Sequence, residues 1–388
     1  MLRSYLILLF VCLSTLNAVF AEMVNIGVMH QKKITSFVFS PQVGNYIVYT
    51  NQGKLTEIDN TEILELSYQN NLIYIKSLDK DYGAFKKVHF IGATTGNSFK
   101  VKTNRPSGAI KNYEDNLMIT IHPYYHYMKL INNIDIDNYV AGVVESEVGK
   151  RPPVEYFKLQ AIICRTYALK NIDKHKDDGF SLCDKVHCQA YHGKPKSDLI
   201  KEAAIATNGV VIVDSDINLI TATFYSNCGG QTANSEEVWK RPLYYLRTVK
   251  DTFCLHENNA VWTKRISKQK WTDYLIDHGL PKGSLETECG TEYFQNCREQ
   301  YYENQNVQIP FVTIRKDFRL KSALFDVVPD GNYVLLKGKG FGHGVGLCQE
   351  GAMKMARTGY SYIDILHFYY EDVHMINLES LAFFKADF

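Results

Sequence analysis

The chain has 388 residues, which is long for one minimal hydrophobic core and predicts a large domain with an added lobe, or two domains. Hydrophobic residues make up 45% of the sequence and charged residues 22%, a globular composition that argues against extensive disorder. The formal net charge is +1, so the chain lacks the basic excess that nucleic-acid binding requires, and we expect no nucleic-acid partner.

The first 21 residues have the pattern of a secretory signal peptide. Arg3 supplies a positive charge, residues 5–13 form a short apolar run, and Val19 and Ala21 precede an expected cleavage after Ala21. The run is short for a membrane span, although an uncleaved anchor is the alternative. We therefore expect export to the periplasm, the cell envelope or the medium, with no stable membrane span after the segment is removed.

Of the nine cysteines, Cys12 lies in this leader and eight remain in the mature chain. An exported protein can keep cysteines as disulfides. Cys289 and Cys297 flank the polar stretch "CGTEYFQNC", which is typical of a loop-closing bridge, and Cys228 and Cys254 form a second candidate pair. Spacing alone proves neither pairing.

Residues 22–134 consist of short alternating runs such as "NYIVYT" and "SFKVKT", separated by turn sequences such as "NQGK" and "NRPSG". Alternation with a period of two predicts half-buried strands. After about residue 135 helical and strand-like segments mix. We therefore predict an α+β fold, with a β-rich N-terminal region at residues 22–134 and a mixed α/β domain at residues 135–388. The latter includes an insertion or small subdomain at about residues 255–310.

Helical periodicity starts after Pro152 and Pro153, which suit the first positions of a helix. One apolar face recurs at spacings of three and four residues and consists of Val154, Phe157, Ala161, Cys164 and Ala168. Because Cys164 falls on this face, we predict a buried free thiol. Other predicted helices are a short helix or turn at residues 137–148, a helix at 267–278 capped by Ser267, and two C-terminal helices, the first ended by Gly359 and the second capped by Ser361.

Two glutamates, Glu145 and Glu147, lie in the segment "GVVESEVG". Residues two apart do not share one face of a helix, so only one of them is expected to point into a cleft. A carboxyl group held beside the neighbouring valines has a raised pKa, as a general acid needs. The alternative is a solvent-exposed glutamate at a helix end.

Two further segments carry polar groups suited to ligand binding. Glycine occupies every second position from Gly338 to Gly346, around His343, which can bind substrate, orient a carboxylate or relay a proton. The segment "FYSNCGGQTANSEEVW" offers Ser226, Asn227, Gln231 and Thr232, which are typical sugar- or amide-binding groups. For the glycine-rich segment, the alternative is a tight turn with a structural histidine. For the segment that contains Ser226, it is a turn between a strand and a helix whose polar groups face solvent.

The segment "CDKVHCQAYHG" contains Cys183 and Cys188 with His187 between them, while His175 lies upstream and His192 downstream. Thiolates and imidazoles at such spacing favour zinc over calcium or magnesium. The alternative is a disulfide between the two cysteines. A closed four-ligand site would be structural, since catalysis needs an open coordination position.

Four segments in order resemble the SpoIID/LytB family, which comprises stage II sporulation protein D and the LytB amidase enhancer. They are "DNYVAGVVESEVG" with "FKLQAIICRTYALKN", then "CDKVHCQAYHG", "FYSNCGGQTANSEEVW" and "GKGFGHGVGLCQEGA", and they span about residues 135–372. The resemblance implies a SpoIID-like catalytic domain at residues 135–388. The family includes a peptidoglycan lytic transglycosylase whose catalytic glutamate ends the Gly-Val-Val-x-x-Glu pattern, which here falls on Glu147 and not on Glu145.

The same resemblance implies a metal site and a set of substrate contacts. A structural zinc ion would be bound by Cys183, His187 and Cys188, with His175 as the fourth ligand and His192 in reserve. The residues predicted to bind substrate are Arg165, Tyr167, Ser226, Asn227, Gln231, His343 and Gln349. Two departures from the family pattern are Cys348, where serine is frequent, and the long cysteine-bearing stretch that follows residues 251–254.

We therefore expect an exported peptidoglycan-remodelling protein. The first hypothesis is a lytic transglycosylase in which Glu147 alone acts as acid and then as base, leaving 1,6-anhydromuramic ends on denuded glycan strands. The alternative is a non-catalytic, glycan-binding enhancer of an N-acetylmuramoyl-L-alanine amidase. The expected partners are accordingly peptidoglycan glycan strands and a cell-wall amidase.

Overall fold

The computed structural model describes residues 22–149, 152–239, 241–281, 291–304 and 307–386. Strands and helices are both abundant in these ranges, which confirms the predicted α+β class. The leader predicted at residues 1–21 lies outside the described residues. Cys289 does as well, so the proposed Cys289–Cys297 bridge stays a prediction.

From residue 22 onward, twelve strands precede the first described helix, and the alternating pattern predicts strands in this region. They are β1 (Met23–Val28), β2 (Ser36–Val43), β3 (Tyr46–Thr50), β4 (Gly53–Ile58), β5 (Leu64–Gln69), β6 (Leu72–Lys76), β7 (Asp81–Phe85), β8 (Lys87–Gly92), β9 (Ser98–Arg105), β10 (Lys111–Glu114), β11 (Asn116–Ile121) and β12 (Met128–Asp135). One sheet has the order β1-β12-β11-β8-β3-β4 and the other β10-β9-β2-β5-β6-β7. The two sheets face each other, because Phe39 of β2 stacks on Phe90 of β8 with 3.8 Å between ring centroids.

The β-rich region and the first helices share one hydrophobic core. Strand β12 runs directly into α1 (Ile136–Val148), whose N-cap Asp135 accepts hydrogen bonds from the N–H groups of Asp137 and Asn138. Strand β13 (Leu182–Cys183) later joins the first sheet parallel to β1. The boundary predicted after residue 134 therefore separates strands from helices but does not separate two cores.

Helix α2 (Val154–Lys170) is the central helix and is buried on several sides. Four of the five residues predicted to form its apolar face, Cys164 among them, lie in the core shared with the sheets. Val154 departs from this prediction, because its place in the first turn leaves it 40% exposed. The opposite side, with Tyr156 and Ile163, packs in a second core formed by the C-terminal half of the chain.

The next elements connect α2 to a small subdomain. They are α3 (Asp198–Ala206), β14 (Val210–Val213), β15 (Phe224–Tyr225) and α4 (Ser235–Trp239). The subdomain consists of β16 (Val261–Ser267), α5 (Lys268–Asp277), β17 (Tyr301–Asn304), β18 (Val307–Pro310), α6 (Phe311–Asp317), β19 (Phe325–Asp330) and β20 (Tyr333–Lys339). It has its own core around Trp271 and extends past the predicted limit at residue 310, because β19 and β20 complete a three-stranded sheet with β16.

The chain returns from the subdomain to the second core. Its last elements are β21 (Leu347–Cys348), α7 (Gln349–Arg357), α8 (Tyr362–Tyr369), β22 (His374–Asn377) and α9 (Leu378–Ala386). As predicted, α7 ends just before Gly359, which has a positive φ of 99°, and Ser361 caps α8. Strand β21 pairs with β15 in parallel, and β22 pairs with β14. Within the described ranges, we find no helix of sufficient length and apolarity to traverse a membrane.

Candidate functional site

The two glutamates of α1 have different surroundings. Oε2 of Glu145 accepts hydrogen bonds from the backbone N–H groups of Lys196 at 2.8 Å and Ser197 at 2.9 Å. Ser197 is the N-cap residue of α3, so Glu145 satisfies free N–H groups at the positive end of that helix. Glu145 therefore helps to hold α3 against α1.

Glu147 lies on the side of α1 that faces α2 and the loop after β13. Its Oε1 accepts a hydrogen bond of 2.9 Å from the backbone N–H of Ala190. Burial raises the pKa of the Glu147 carboxyl group, and the Ala190 N–H opposes part of this rise by stabilising the charged form. A carboxyl group with a raised pKa retains its proton to higher pH, which is the property that a general acid needs.

Three other parts of the chain supply the surroundings of Glu147. Burial raises the pKa of Tyr156 and of Cys164, both on α2, and the negative charge of Glu147 adds to each rise. Gln349, the first residue of α7, reaches the same tyrosine hydroxyl, and its amide opposes that rise. The amides of Gln189 and Gln349 are buried against the Cys164 thiol and the Tyr156 hydroxyl group, although neither Nε2 atom makes a hydrogen bond of normal geometry within the described part of the chain.

Two residues predicted to bind substrate lie in the interior instead. Arg165 is 0% exposed, pairs with Asp137 of α1 and donates from Nη1 to the Val210 carbonyl at 3.0 Å. Asn227 is 1% exposed and donates from Nδ2 to Glu350 at 2.6 Å. Their polar groups are used by the protein itself, because a buried charge or amide must be paired. In this structure both side chains are bonded within the protein.

Three other predicted contacts are only partly buried. Tyr167 accepts a hydrogen bond from Lys174 at 3.2 Å and so lies beside the loop of "CDKVHCQAYHG". Ser226 accepts one from Asn259 at 3.1 Å, and Gln231 accepts one from the backbone N–H of Arg298 at 3.2 Å. The last two contacts join the glycine-containing segment after β15 to the subdomain and its connection.

His343 is held by the backbone on both sides of its ring. Nε2 lies 3.1 Å from the Phe224 carbonyl, and Nδ1 accepts from the Val345 N–H at 3.1 Å, which sets a neutral tautomer with the proton on Nε2. Burial lowers the pKa of His343 to about 4. With both nitrogens engaged, the ring is not arranged as a proton relay. It packs beside the partly exposed Trp239, with 5.5 Å between the centroids.

The four metal-ligating residues chosen from the sequence come together in the loop after α2. His175, Cys183, His187 and Cys188 each present one ligand atom, and all four atoms lie within 4.8 Å of one another. The two Sγ atoms are 3.4 Å apart, and each lies 3.8 Å from Nδ1 of His187. A tetrahedral zinc ion with Zn–S bonds of about 2.3 Å separates its ligands by about 3.8 Å, so the donor set fits zinc.

The surroundings of this cluster also suit a zinc ion bound by these four residues. Nδ1 of His175 lies 2.7 Å from Asp178, which leaves Nε2 as the coordinating nitrogen. That Nε2 atom is buried and has no hydrogen-bond partner among the described residues. His192, the reserve ligand, lies outside the cluster, and its backbone N–H donates to Ser146 at 3.0 Å.

Comparisons with known proteins point to the same family that the sequence segments resemble. The family model described as SpoIID, stage II sporulation protein, matches residues 124–213. An uncharacterized protein of Brachyspira hyodysenteriae is 29% identical over 259 residues, which cover 66% of this chain and 70% of that protein. The stage II sporulation protein D of Bacillus amyloliquefaciens is 28% identical, over 64% of this chain and 76% of its own length. The amidase enhancer of Bacillus subtilis is 26% identical, over 59% of this chain and 39% of its own length.

The chain is therefore similar to the SpoIID/LytB family. The SpoIID match begins just before β12 and ends with β14, so it contains Glu147 and the four clustered metal-ligating residues. The segments around Ser226 and His343 follow the match, as does the subdomain. Sequence patterns did not single out Tyr156 or Gln189, because residues that surround a buried carboxyl group are defined by their neighbours in space.

Proposed function

We propose that the protein is an exported enzyme of cell-wall remodelling, a lytic transglycosylase that cleaves peptidoglycan glycan strands lacking stem peptides. Similarity to the SpoIID/LytB family supports a role at the cell wall, since relatives carry the names stage II sporulation protein D and amidase enhancer. The observation that carries the catalytic proposal is Glu147, a partly buried carboxyl group with a raised pKa at the meeting point of three family segments.

The proposed reaction needs one carboxyl group. Protonated Glu147 donates its proton to the glycosidic oxygen as the bond from that oxygen to C1 of muramic acid breaks. The resulting carboxylate then takes the proton of the sugar's 6-hydroxyl group while O6 bonds to C1. The products are a free sugar hydroxyl and a 1,6-anhydromuramic end, no water is consumed, and Glu147 regains its proton. A second catalytic carboxylate, as used in ordinary glycoside hydrolysis, is not required.

The contacts of Glu145 argue against a catalytic role for that residue and so favour Glu147 as the proton donor. Its carboxylate is already used to bond two N–H groups at the start of α3, so a role in proton transfer would release that helix end. Glu147 has a single hydrogen bond to the backbone and lies near the side chains of Gln189 and Gln349. The two side chains differ by only two positions, which makes each the matched control for the other.

The proposed zinc ion would have a structural role. His175, Cys183, His187 and Cys188 would fill its four positions and leave none for substrate. When bound, zinc would supply folding free energy to the loop that contains Ala190. The loop in turn holds Glu147 through the Ala190 N–H.

The alternative function is a glycan-binding protein that stimulates a cell-wall amidase without breaking bonds itself. The observation in its favour is the similarity to a relative named amidase enhancer. In that case the hydrogen bond between Glu147 and Ala190 would only stabilise the loop, and the glutamate would be dispensable for function.

The deciding experiment incubates the mature protein with denuded glycan and analyses the products by mass spectrometry for anhydro ends. Wild type and Glu145→Gln should release anhydro products, while Glu147→Gln should reduce the rate by about 10²–10⁴-fold, the usual contribution of a general acid. Unchanged release by Glu147→Gln would refute the mechanism. No release by any variant, together with stimulation of an added amidase, would favour the alternative.

A further inference from the structure

A second group of buried metal-ligating side chains lies in the C-terminal half of the chain. Cys228, Asp251, Cys254 and Cys348 each present one ligand atom, and the four atoms lie within 4.8 Å of one another. All four residues are 0% exposed. They come from three separate segments, namely the turn after β15, the stretch before the subdomain and the start of α7. Their convergence is therefore a property of the tertiary structure.

The donor atoms are as close together as the ligands of a metal ion. Sγ of Cys228 lies 3.2 Å from Sγ of Cys254 and 3.3 Å from Oδ2 of Asp251. A tetrahedral zinc ion separates its ligands by about 3.8 Å, so a small outward movement of these side chains would admit it. We propose that Cys228, Asp251, Cys254 and Cys348 bind a structural zinc ion, distinct from the one expected in the loop after α2.

Surrounding groups orient these ligands in the way that outer partners orient metal ligands. The hydroxyl group of Tyr369 donates to Oδ2 of Asp251 at 2.8 Å. The backbone N–H groups of Cys228 and Gly351 donate to Sγ of Cys348 at 3.2 and 3.4 Å. Cys348 is also the N-cap residue of α7, so its Sγ atom faces the N–H groups of the first turn of that helix.

Gly351 shows how closely the protein packs around the carboxylate. A Cβ atom at this position would lie 2.2 Å from Oδ2 of Asp251 and 2.4 Å from the hydroxyl oxygen of Tyr369. Both distances are far below van der Waals contact, so glycine is needed to admit the carboxylate here. The first turn of α7 is thus shaped around Asp251.

Zinc accounts for the whole cluster better than a disulfide does. Three thiolates select a soft or borderline metal, and a fourth protein ligand closes the site, as in structural zinc sites. A bridge between Cys228 and Cys254, which the sequence alone allows, would use two thiols. It would leave Cys348 and Asp251 buried beside it with no cation to balance the charge of the carboxylate, which is costly. A bound cation uses all four donors.

The proposed metal ion would join segments of the chain that lie close to Glu147. Cys228 follows Asn227, and Cys348 precedes Gln349, which reaches Tyr156 beside Glu147. A metal ion that joins these segments would fix the polar groups next to the proposed catalytic glutamate. The proposal itself concerns metal binding and does not depend on the enzymatic activity.

The test is elemental analysis of the mature protein purified in the presence of zinc chloride. Wild type should contain two zinc ions per chain. Cys348→Ser and Cys183→Ser should each contain one fewer, and Cys164→Ser, which alters a buried thiol outside both clusters, should lose none. If Cys348→Ser retains the wild-type content, the second site is refuted. If Cys183→Ser alone retains it, the site after α2 fails and the second site stands.

A measurement on wild type keeps the proposal testable if Cys348→Ser does not fold. The metal-loaded protein is denatured with chelator and an alkylating reagent but no reductant, and its cysteine peptides are mapped by mass spectrometry. Alkylation of Cys228, Cys254 and Cys348 is expected. A Cys228–Cys254 disulfide in this sample would overturn the proposal. Cobalt(II) in place of zinc should in addition give thiolate charge-transfer absorption that persists in Cys183→Ser.

Discussion

The backbone N–H of Ala190 donates a hydrogen bond of 2.9 Å to the carboxylate of Glu147. Ala190 follows Cys188 by two residues, so the loop that gathers the first group of metal-ligating side chains also holds the glutamate. Metal binding, the position of the loop and the state of the glutamate are therefore expected to be coupled.

Removing one ligand of this loop should affect stability and activity together. We expect Cys188→Ser to lose one zinc ion, to unfold at a lower temperature and to lose about 10–100-fold in activity, because Glu147 loses its fixed partner. Metal content, a thermal melt and the rate of anhydro-product release provide the check. Full activity in a Cys188→Ser protein that lacks this zinc ion would contradict the coupling.

The pH dependence of the rate should report Glu147. Protonated Glu147 is the proton donor, and burial raises the pKa of its carboxyl group, so activity should fall as the pH rises through this raised pKa. Glu145→Gln should have the same alkaline limb as wild type. The measurement is kcat/KM on denuded glycan across the pH range. If the alkaline limb of Glu145→Gln is displaced from that of wild type, the assignment of this titration to Glu147 is wrong.

The two glutamates should also differ in stability. Because folding raises the pKa of Glu147, its contribution to stability is present at low pH and is lost as the pH rises through the folded-state pKa. At alkaline pH we therefore expect Glu147→Gln to be more stable than wild type, with a difference that disappears in acid. Glu145→Gln should instead be less stable by about 0.5–2 kcal/mol, since it weakens the cap of α3. Thermal melts at several pH values test both signs.

Arg165 should matter for stability and not for direct contact with substrate. We expect Arg165→Met to lower the free energy of unfolding by about 3–5 kcal/mol, because it leaves the mostly buried carboxylate of Asp137 without its partner. Lys158→Met is the matched control on the same helix and should cost no more than about 1 kcal/mol, since the Lys158–Glu155 pair is partly exposed. Chemical denaturation measures both. Loss of glycan binding by Arg165→Met without loss of stability would restore the substrate contact predicted from the sequence.

The sequence alone determined most of the regular elements and indicated candidate ligands for the first cluster. Period-two alternation identified the strands before residue 135, and the prolines before α2 and Ser361 before α8 marked helix starts, because these signals depend on near neighbours in the chain. The spacing of Cys183, His187 and Cys188 left zinc and a disulfide open, and the family resemblance favoured zinc with His175 as the fourth ligand. The choice of Glu147 over Glu145 came from the family pattern.

Only the tertiary structure decided what distant residues do to one another. It buried Arg165 and Asn227, engaged both nitrogens of His343, and gave Glu145 a helix to cap. It also brought Cys348 to Cys228 across 120 positions of the chain. Desolvation, hydrogen bonding and metal coordination act over a few ångströms in space, and spacing along the chain does not report such distances when the segments fold back from far away.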